Sequence, residues 1–236
     1  MPASASPDTP IVSTFITRQP IFDEDKGVWG YELLYRDERA GKEAFDRDRA
    51  SLNVTACAHM AQQLDSSAES MVLISFSRKA ILEKVPQALP SAGTVVAADM
   101  GGKNDQEYIK ALWSLKSEGY YLALDKVTPT DAAKDYVELA DLVRVDMRGK
   151  DRVVLTQLLN ITKDFDLALA ATHLEDEADI KLAKGVGFHL FQGHFFKKPE
   201  IIPDKELSSN EISRLTLFRI LDSEEPDYDQ LAESIQ

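Results

Sequence analysis

Short apolar runs alternate with longer amphipathic stretches along most of the chain. The runs are Met71–Ile74, Thr94–Ala98, Tyr121–Leu124, Leu142–Val145, Leu167–Ala171 and Phe188–Phe191. Most of them are apolar on successive residues, which is typical of strands buried on both faces of a parallel sheet. Helical spacing marks the stretches between them, which are Ala50–Leu64, Asp105–Ser117, Asp131–Leu139, Asp151–Phe165 and Glu177–Val186. The alternation predicts repeated strand–helix units.

The beginning and the end of the chain do not follow this alternation. Ile11–Ile16 and Trp29–Tyr35 have the pattern of strands, and the charged stretch Phe22–Gly27 between them predicts a hairpin turn. Further on, Ser208 and Glu211 have the spacing of a capping box, which predicts the start of a helix. We therefore predict a disordered leader over residues 1–10, a barrel domain over 11–205 and a separate helical segment over 206–236.

The sheet is predicted to close into an α/β, TIM-like (β/α) barrel, with an open doubly wound sheet as the alternative. Polar side chains recur where the apolar runs end, and the catalytic groups of barrels lie at those strand ends. The polar positions are Glu32, Ser75, Asp125, Arg144, Asp146, Thr172, Glu175 and Gln192. Strand ends also meet water, so this polarity alone does not establish a catalytic site.

The net charge limits the kinds of partner that we expect, and the cysteine content bears on the compartment. The chain carries 27 Lys and Arg residues against 40 Asp and Glu, a formal net charge of −13. Such a chain is repelled by phosphate backbones and anionic lipid, so we expect no nucleic acid and no membrane as partner. The single cysteine, Cys57, excludes an internal disulfide. Together with the lack of a signal-like leader, this predicts a cytoplasmic protein.

Five blocks of sequence follow one another in the order found in one family. They are Gly30-Tyr-Glu-Leu-Leu-Tyr-Arg36, Leu122-Ala-Leu-Asp-Lys126, Val143-Arg-Val-Asp146, Leu174-Glu175 and Phe191-Gln-Gly-His-Phe-Phe-Lys-Lys-Pro199. Together they resemble the EAL domains, the cyclic di-GMP phosphodiesterase family, over about residues 11–200. The block Arg18-Gln-Pro-Ile-Phe22 resembles the branch in which an EAL-like domain precedes an HDOD domain. The resemblance implies that residues 206–236 form a linker helix that leads to a C-terminal HDOD-like domain.

The resemblance also implies an activity, the hydrolysis of cyclic di-GMP with two magnesium or manganese ions held by oxygen ligands. It implies a metal ligand at Glu32 and a phosphate contact at Arg36, and the family's residue types are retained at Asp125, Glu175 and Gln192. Other positions depart: Ser75 stands for an asparagine, Ala98 for a glutamate, Lys126 for an aspartate, Arg144 for a lysine and Thr172 for a glutamate. Asp99, next to Ala98, is expected to point to the other face of its strand.

Two of these departures are the most damaging to catalysis. The Lys126 ammonium repels divalent ions where the family has a bridging carboxylate. Arg144 stays protonated at any working pH, so it cannot act as a general base. We therefore predict a degenerate site with no catalytic residue, no bound metal and no cofactor.

Three functions remain open. The first is a catalytically inactive signalling or scaffolding domain with a protein partner, in which the cations Lys126 and Arg144 are neutralised by carboxylates. Those carboxylates are Glu32 and Asp125. The second is a receptor that binds cyclic di-GMP without turnover, with phosphate contacts from Arg36, Lys126 and Arg144.

The third function is an active phosphodiesterase that uses Asp99 or Asp146 as a replacement ligand. The remaining carboxylates are too few for two ions, which argues against it. Family members often form homodimers. The loop after Asp125 lacks the glycine-rich form linked to that pairing, which argues against a homodimer here.

Overall fold

The computed structural model describes residues 14–37, 70–102, 105–130 and 133–201, without the side chains of 14–16, 35–37 and 201. The strands are β1 (Thr14–Phe22), β2 (Val28–Asp37), β3 (Met71–Phe76), β4 (Thr94–Asp99), β5 (Tyr121–Asp125), β6 (Leu142–Asp146), β7 (Ala168–Thr172), β8 (Leu190–Phe191) and β9 (Glu200–Ile201). The helices are α1 (Arg78–Leu82), α2 (Gln106–Ser117), α3 (Ala133–Val137), α4 (Arg152–Thr162) and α5 (Glu177–Val186), with a 3₁₀ helix at Val85–Ala88.

The sheet closes on itself. Strands β2 to β8 are parallel and are hydrogen-bonded in sequence order. Strand β1 is antiparallel to both β2 and β8, so it joins the two edges of the parallel sheet into a ring. Strand β9 adds to β1, where Arg18 lies opposite Glu200. The predicted α/β barrel is confirmed, and the open sheet is excluded because no edge of a closed ring remains unpaired.

Three of the helices begin at aspartates. The side chains of Asp105, Asp151 and Asp176 each accept a hydrogen bond from the backbone N–H three residues later, at the starts of α2, α4 and α5. Such caps satisfy N–H groups that the helix itself cannot pair. The predicted ranges of these helices agree with the observed ones to within a few residues. Helix α3 ends at Val137, before the predicted end at Leu139, and the predicted start at Asp131 lies outside the described residues.

Some of the predicted elements are wrong in extent or cannot be compared. The predicted helix Ala50–Leu64, the leader 1–10 and the linker helix 206–236 lie outside the described residues. The predicted end of the first strand, at Ile16, is wrong, because β1 continues to Phe22. The sequence pattern missed this continuation because two of its buried positions, Thr17 and Gln19, are polar, so apolar and polar residues do not alternate there.

The barrel has two apolar layers. The interior is filled by a compact cluster that includes many small side chains: Ile21, Leu73, Val95, Ala97, Ala123, Leu142, Ala170 and Leu190. A larger cluster packs the outer faces of the strands against the helices. Because side chains alternate along a strand, membership of these clusters shows which residues face inward. In the described part of the chain, no helix has the length and apolar character needed to cross a membrane.

The loop after β8 is hydrogen-bonded to the loop after β7. The Leu174 N–H donates to the Gln192 carbonyl, and the Phe195 N–H donates to the Leu174 carbonyl. These bonds bring Gly193 so close to Leu174 that a Cβ at residue 193 would overlap the Leu174 backbone. A glycine is therefore required at this position, and the two loops form one unit at the C-terminal end of the barrel.

Candidate functional site

Several polar side chains lie together at one end of the barrel. On β4, Val95 and Ala97 belong to the interior cluster, so Asp99 faces the same way. On the other strands, the alternation of side chains and the pairing between strands place further polar side chains at this end. We call the whole group the mouth, and it consists of Glu32, Ser75, Asp99, Asp125, Arg144, Asp146, Thr172 and Gln192.

Arg144 lies at the centre of the mouth. Its side chain is only 7% exposed, and its Nη2 donates to Glu32 Oε1 at 2.8 Å. Its Nη1 donates to Asp125 Oδ2 at 3.4 Å. Within the described residues, Arg144 Nε has no hydrogen-bond partner. The expected pairing of Arg144 with Glu32 and Asp125 is confirmed.

The second oxygen of Glu32 is also occupied. Gln192 Nε2 donates to Glu32 Oε2 at 2.7 Å, and Gln192 is 3% exposed. Gln19, which lies opposite Glu32 in the β1–β2 pairing, accepts from Gln192 Nε2 at 3.4 Å. Sequence reasoning misses Gln19 as a site residue, although its place opposite Glu32 follows once the hairpin register is known.

For both Asp125 and Arg144, burial shifts the pKa in one direction and a neighbouring opposite charge shifts it in the other. Burial raises the pKa of Asp125 above its ordinary value, although the nearby Arg144 guanidinium favours the ionised carboxylate. Burial also disfavours the charged form of Arg144, but the attraction of Glu32 and Asp125 outweighs it and raises the pKa of Arg144. Arg144 is therefore a fixed cation, with no capacity to accept a proton.

Lys126 pairs differently from the expectation. Its Nζ lies 2.6 Å from Asp99 Oδ2, and its side chain is 62% exposed. The expected pairing of Lys126 with Glu32 or Asp125 is wrong. Asp125 points into the barrel, whereas Lys126 follows the strand end with a left-handed backbone, at φ 55°, and reaches the end of the neighbouring strand β4.

The assignment of Ala98 to the site is also wrong. Ala98 belongs to the layer between the strands and the helices. Asp99 instead faces the mouth, where its charge acts on both Asp125 and Arg144. The physical reason is the register, because Asp99 lies opposite Asp125 on the adjacent parallel strand, and paired residues of parallel strands share a face.

The remaining predicted site residues fall into two groups. Ser75 and Thr172 face the mouth, Ser75 exposed and Thr172 buried, with the Thr172 hydroxyl donating to the Val145 carbonyl at 3.2 Å. Glu175 lies on the exposed loop after β7, where its charge acts on Arg148. Arg36 belongs to β2, and its side chain is outside the described part.

A second ion pair lies at the rim of the mouth. Arg148 binds Asp146 through two nitrogens, with Nη2 at 2.6 Å from Oδ2. His173 Nδ1 lies 3.5 Å from Asp146 Oδ1. The hydrogen bond from Arg148 lowers the pKa of Asp146 to about 2. Asp146, one of the two carboxylates that the sequence offered as a replacement metal ligand, is thus already bound to a cation.

An Arg148→Met variant is expected to raise the pKa of Asp146 from about 2 towards its ordinary value of 3.8. A carboxyl group whose pKa is lowered by folding stabilises the fold above its unfolded pKa, and that contribution disappears as the pH falls from about 4 to about 2. Carbon NMR titration of the Asp146 carboxyl measures the change. A Lys126→Met variant is the control and should leave the Asp146 titration unchanged. Titration of wild-type Asp146 near 3.8 would contradict this expectation.

Among the residues that the structure describes, no group of three or more His, Cys, Asp or Glu side chains is arranged to hold a metal ion. The mouth does contain four carboxylates, those of Glu32, Asp99, Asp125 and Asp146. Each of the four has an Arg or Lys partner. The geometry is that of a network of internal ion pairs.

Comparisons with known proteins agree with the fold. No protein-family model matches the sequence. The chain is 29% identical over 221 residues to a Vibrio cholerae protein named cyclic di-GMP phosphodiesterase CdgJ, covering 92% of this chain and 51% of the relative. It is 27% identical over 229 residues to the Bacillus subtilis protein YuxH, covering 94% and 56%. The chain thus spans about half the length of the curated relatives it matches.

Solved structures show the same barrel. One is the Bacillus subtilis YkuI protein, which has an EAL domain and was solved with its substrate cyclic di-GMP and calcium. It superposes with a TM-score of 0.64 at 16% identity, over 88% of this chain and 60% of that chain. At that identity the likeness establishes the fold alone. The chain therefore has the same barrel fold as this EAL-domain structure, and by sequence it is related to a protein that is named as a cyclic di-GMP phosphodiesterase.

Proposed function

We propose that this barrel is a catalytically inactive EAL-type domain that works in signalling by binding a protein partner. The observation that carries the proposal is the buried Arg144 guanidinium, which lies between Glu32 and Asp125. The partner we propose is a further protein domain, of the HDOD type that the resemblance implies, and the compartment is the cytoplasm.

The ligand requirements of divalent cations support the proposal. Magnesium and manganese prefer several oxygen ligands each, and a pair of ions needs bridging carboxylates. In this mouth both oxygens of Glu32 already accept hydrogen bonds, and Asp125 faces a fixed cation. The single Arg144 guanidinium offsets one of the two negative charges and lies between the carboxylates, so these residues do not fit a pair of ions.

The requirements of proton transfer support it as well. Hydrolysis of a phosphodiester needs a group that takes a proton from the attacking water. Arg144 stands where the family has a lysine, and the carboxylates raise its pKa further. The second cation, Lys126, is bound to Asp99 at the rim and supplies no carboxylate.

A second candidate function, binding of cyclic di-GMP without turnover, is favoured by two observations. Arg144 Nε is buried and lacks a hydrogen-bond partner among the described residues, and the Lys126 ammonium is largely exposed. Both groups are suited to phosphate oxygens. The YkuI structure, which shares the fold, was solved with cyclic di-GMP.

Turnover and binding assays on the full chain distinguish these functions. Cyclic di-GMP is incubated with the protein and manganese, and linear dinucleotide is measured over many hours, while calorimetry measures binding with and without magnesium. We expect no turnover and no saturable heat. Saturable heat without turnover would replace the first proposal by the second, and turnover that scales with protein concentration would overturn both. Because the relative CdgJ bears the name of a phosphodiesterase, the turnover assay is the decisive one.

A further inference from the structure

Two buried amides connect the mouth to the loop after β8. Gln192 Nε2 donates to Glu32 Oε2 at 2.7 Å and to Gln19 Oε1 at 3.4 Å. Gln19 Nε2 in turn donates to the backbone carbonyl of Lys197 at 3.3 Å. Both glutamines are buried, at 3% and 8% exposure. The result is a chain of hydrogen bonds from Arg144 through Glu32 and the two amides to the backbone three residues before β9.

The chemistry of the two ends fixes the direction of every bond in this chain. A backbone carbonyl and a carboxylate can only accept hydrogen bonds. The Gln19 amide must therefore turn its nitrogen to Lys197, which leaves its oxygen facing Gln192. Gln192 must then direct its two N–H donors at Gln19 and Glu32. Turning either amide over would set two acceptors or two donors against each other in a buried site, where an unpaired polar group is costly.

We propose that Gln19 is a positioning residue for the Glu32–Arg144 ion pair. It orients the Gln192 amide, and Gln192 holds one Glu32 oxygen so that the other faces Arg144. Gln19 thereby joins the ion pair to Lys197, in the segment that leads into β9. The inference deepens the proposed function and rests on it, because the ion pair that Gln19 holds is the one from which the proposed function argues against a pair of metal ions.

The test measures the side-chain protons of Arg144 by nitrogen NMR. In a Gln19→Leu variant we expect these protons to exchange with water about tenfold faster than in the wild type, as for the loss of about 1.4 kcal/mol of hydrogen bonding. A Gln19→Met variant keeps a similar side-chain length but has no N–H to donate to the Lys197 carbonyl, so it should show the same change. Wild-type rates in a folded variant would overturn the proposal.

A matched control separates positioning from a general loss of packing. Thr172→Val removes another buried hydrogen bond at the mouth, to the Val145 carbonyl, and should change the Arg144 exchange rate by less than about twofold. Equal acceleration by Thr172→Val and Gln19→Leu would overturn the proposal.

A wild-type measurement keeps the test valid if the Gln19 variants do not fold. The side-chain amide protons of Gln19 should then be protected from exchange in the wild type, and exchange at the rate of exposed amides would overturn the proposal. The outcome is independent of turnover, because an active enzyme with slow Arg144 protons would contradict the proposed function and leave the role of Gln19 standing.

Discussion

An Arg144→Met variant is expected to lose about 3–5 kcal/mol of unfolding free energy, the range for removing one partner of a buried ion pair. The loss does not come mainly from the missing contacts. Methionine leaves Glu32, which is 6% exposed, and Asp125 close together without a compensating charge. Two carboxylates in a buried site repel each other and have lost their hydration, so the folded state becomes less favourable.

Urea unfolding followed by circular dichroism measures this loss. Lys126→Met is the matched control, since it removes a cation from the same mouth whose pair with Asp99 is exposed, and it should cost less than about 1 kcal/mol. A triple variant, Arg144→Met with Glu32→Gln and Asp125→Asn, should recover most of the loss because no buried charge remains. Equal losses in Arg144→Met and Lys126→Met would show that Arg144 is not the central charge of the mouth.

A Gly193→Ala variant is expected to lose about 3 kcal/mol, the upper end of the usual cost of overpacking. The added methyl group would overlap the carbonyl and N–H of Leu174, which are backbone atoms and cannot move aside as a side-chain end can. Relief would require the loops after β7 and β8 to separate. Their hydrogen bonds, between Leu174 and both Gln192 and Phe195, would then stretch or break.

The comparison for this variant is a second glycine in open surroundings. Gly185 lies in α5, and a Cβ there meets nothing within 4 Å. Gly185→Ala should therefore change stability by less than about 1 kcal/mol, in the stabilising direction, because alanine favours a helix over glycine. Thermal unfolding of both variants measures the difference. A Gly193→Ala protein as stable as the wild type would mean that the two loops are not packed as described.

The positions of the strands could be predicted from the sequence, but the facing of their side chains could not always be. Strand β4 is apolar on both faces, with Val95 and Ala97 turned inward and Val96 and Ala98 turned outward. Hydrophobicity alone therefore does not distinguish the two faces of such a strand. The sequence therefore could not show that Asp99, rather than the alanine before it, faces the mouth. The pairing of Asp99 with Asp125 on β5 shows it.

The charges of the mouth were more predictable than their partners. Because Arg144 is a fixed cation among acidic strand ends, carboxylate partners could be expected for it, and in the structure these are Glu32 and Asp125. The length of a lysine side chain allows several partners, so the pairing of Lys126 with Asp99 depends on backbone geometry that no residue pattern contains. Gln19 escaped notice for a related reason, since nothing in a strand without apolar alternation indicates which residues turn inward.

The way the ring closes has a consequence for the order of folding. Phe22 pairs with Phe191, so the first strand cannot complete its bonding until nearly all of the described chain has left the ribosome. Before then, the hairpin of β1 and β2 can add β3 to one side, while the other side of β1 remains an open edge that invites association between nascent molecules. A nascent chain that ends before residue 190 should therefore aggregate or bind chaperones more than a chain that includes β8, which pairs with this edge of β1.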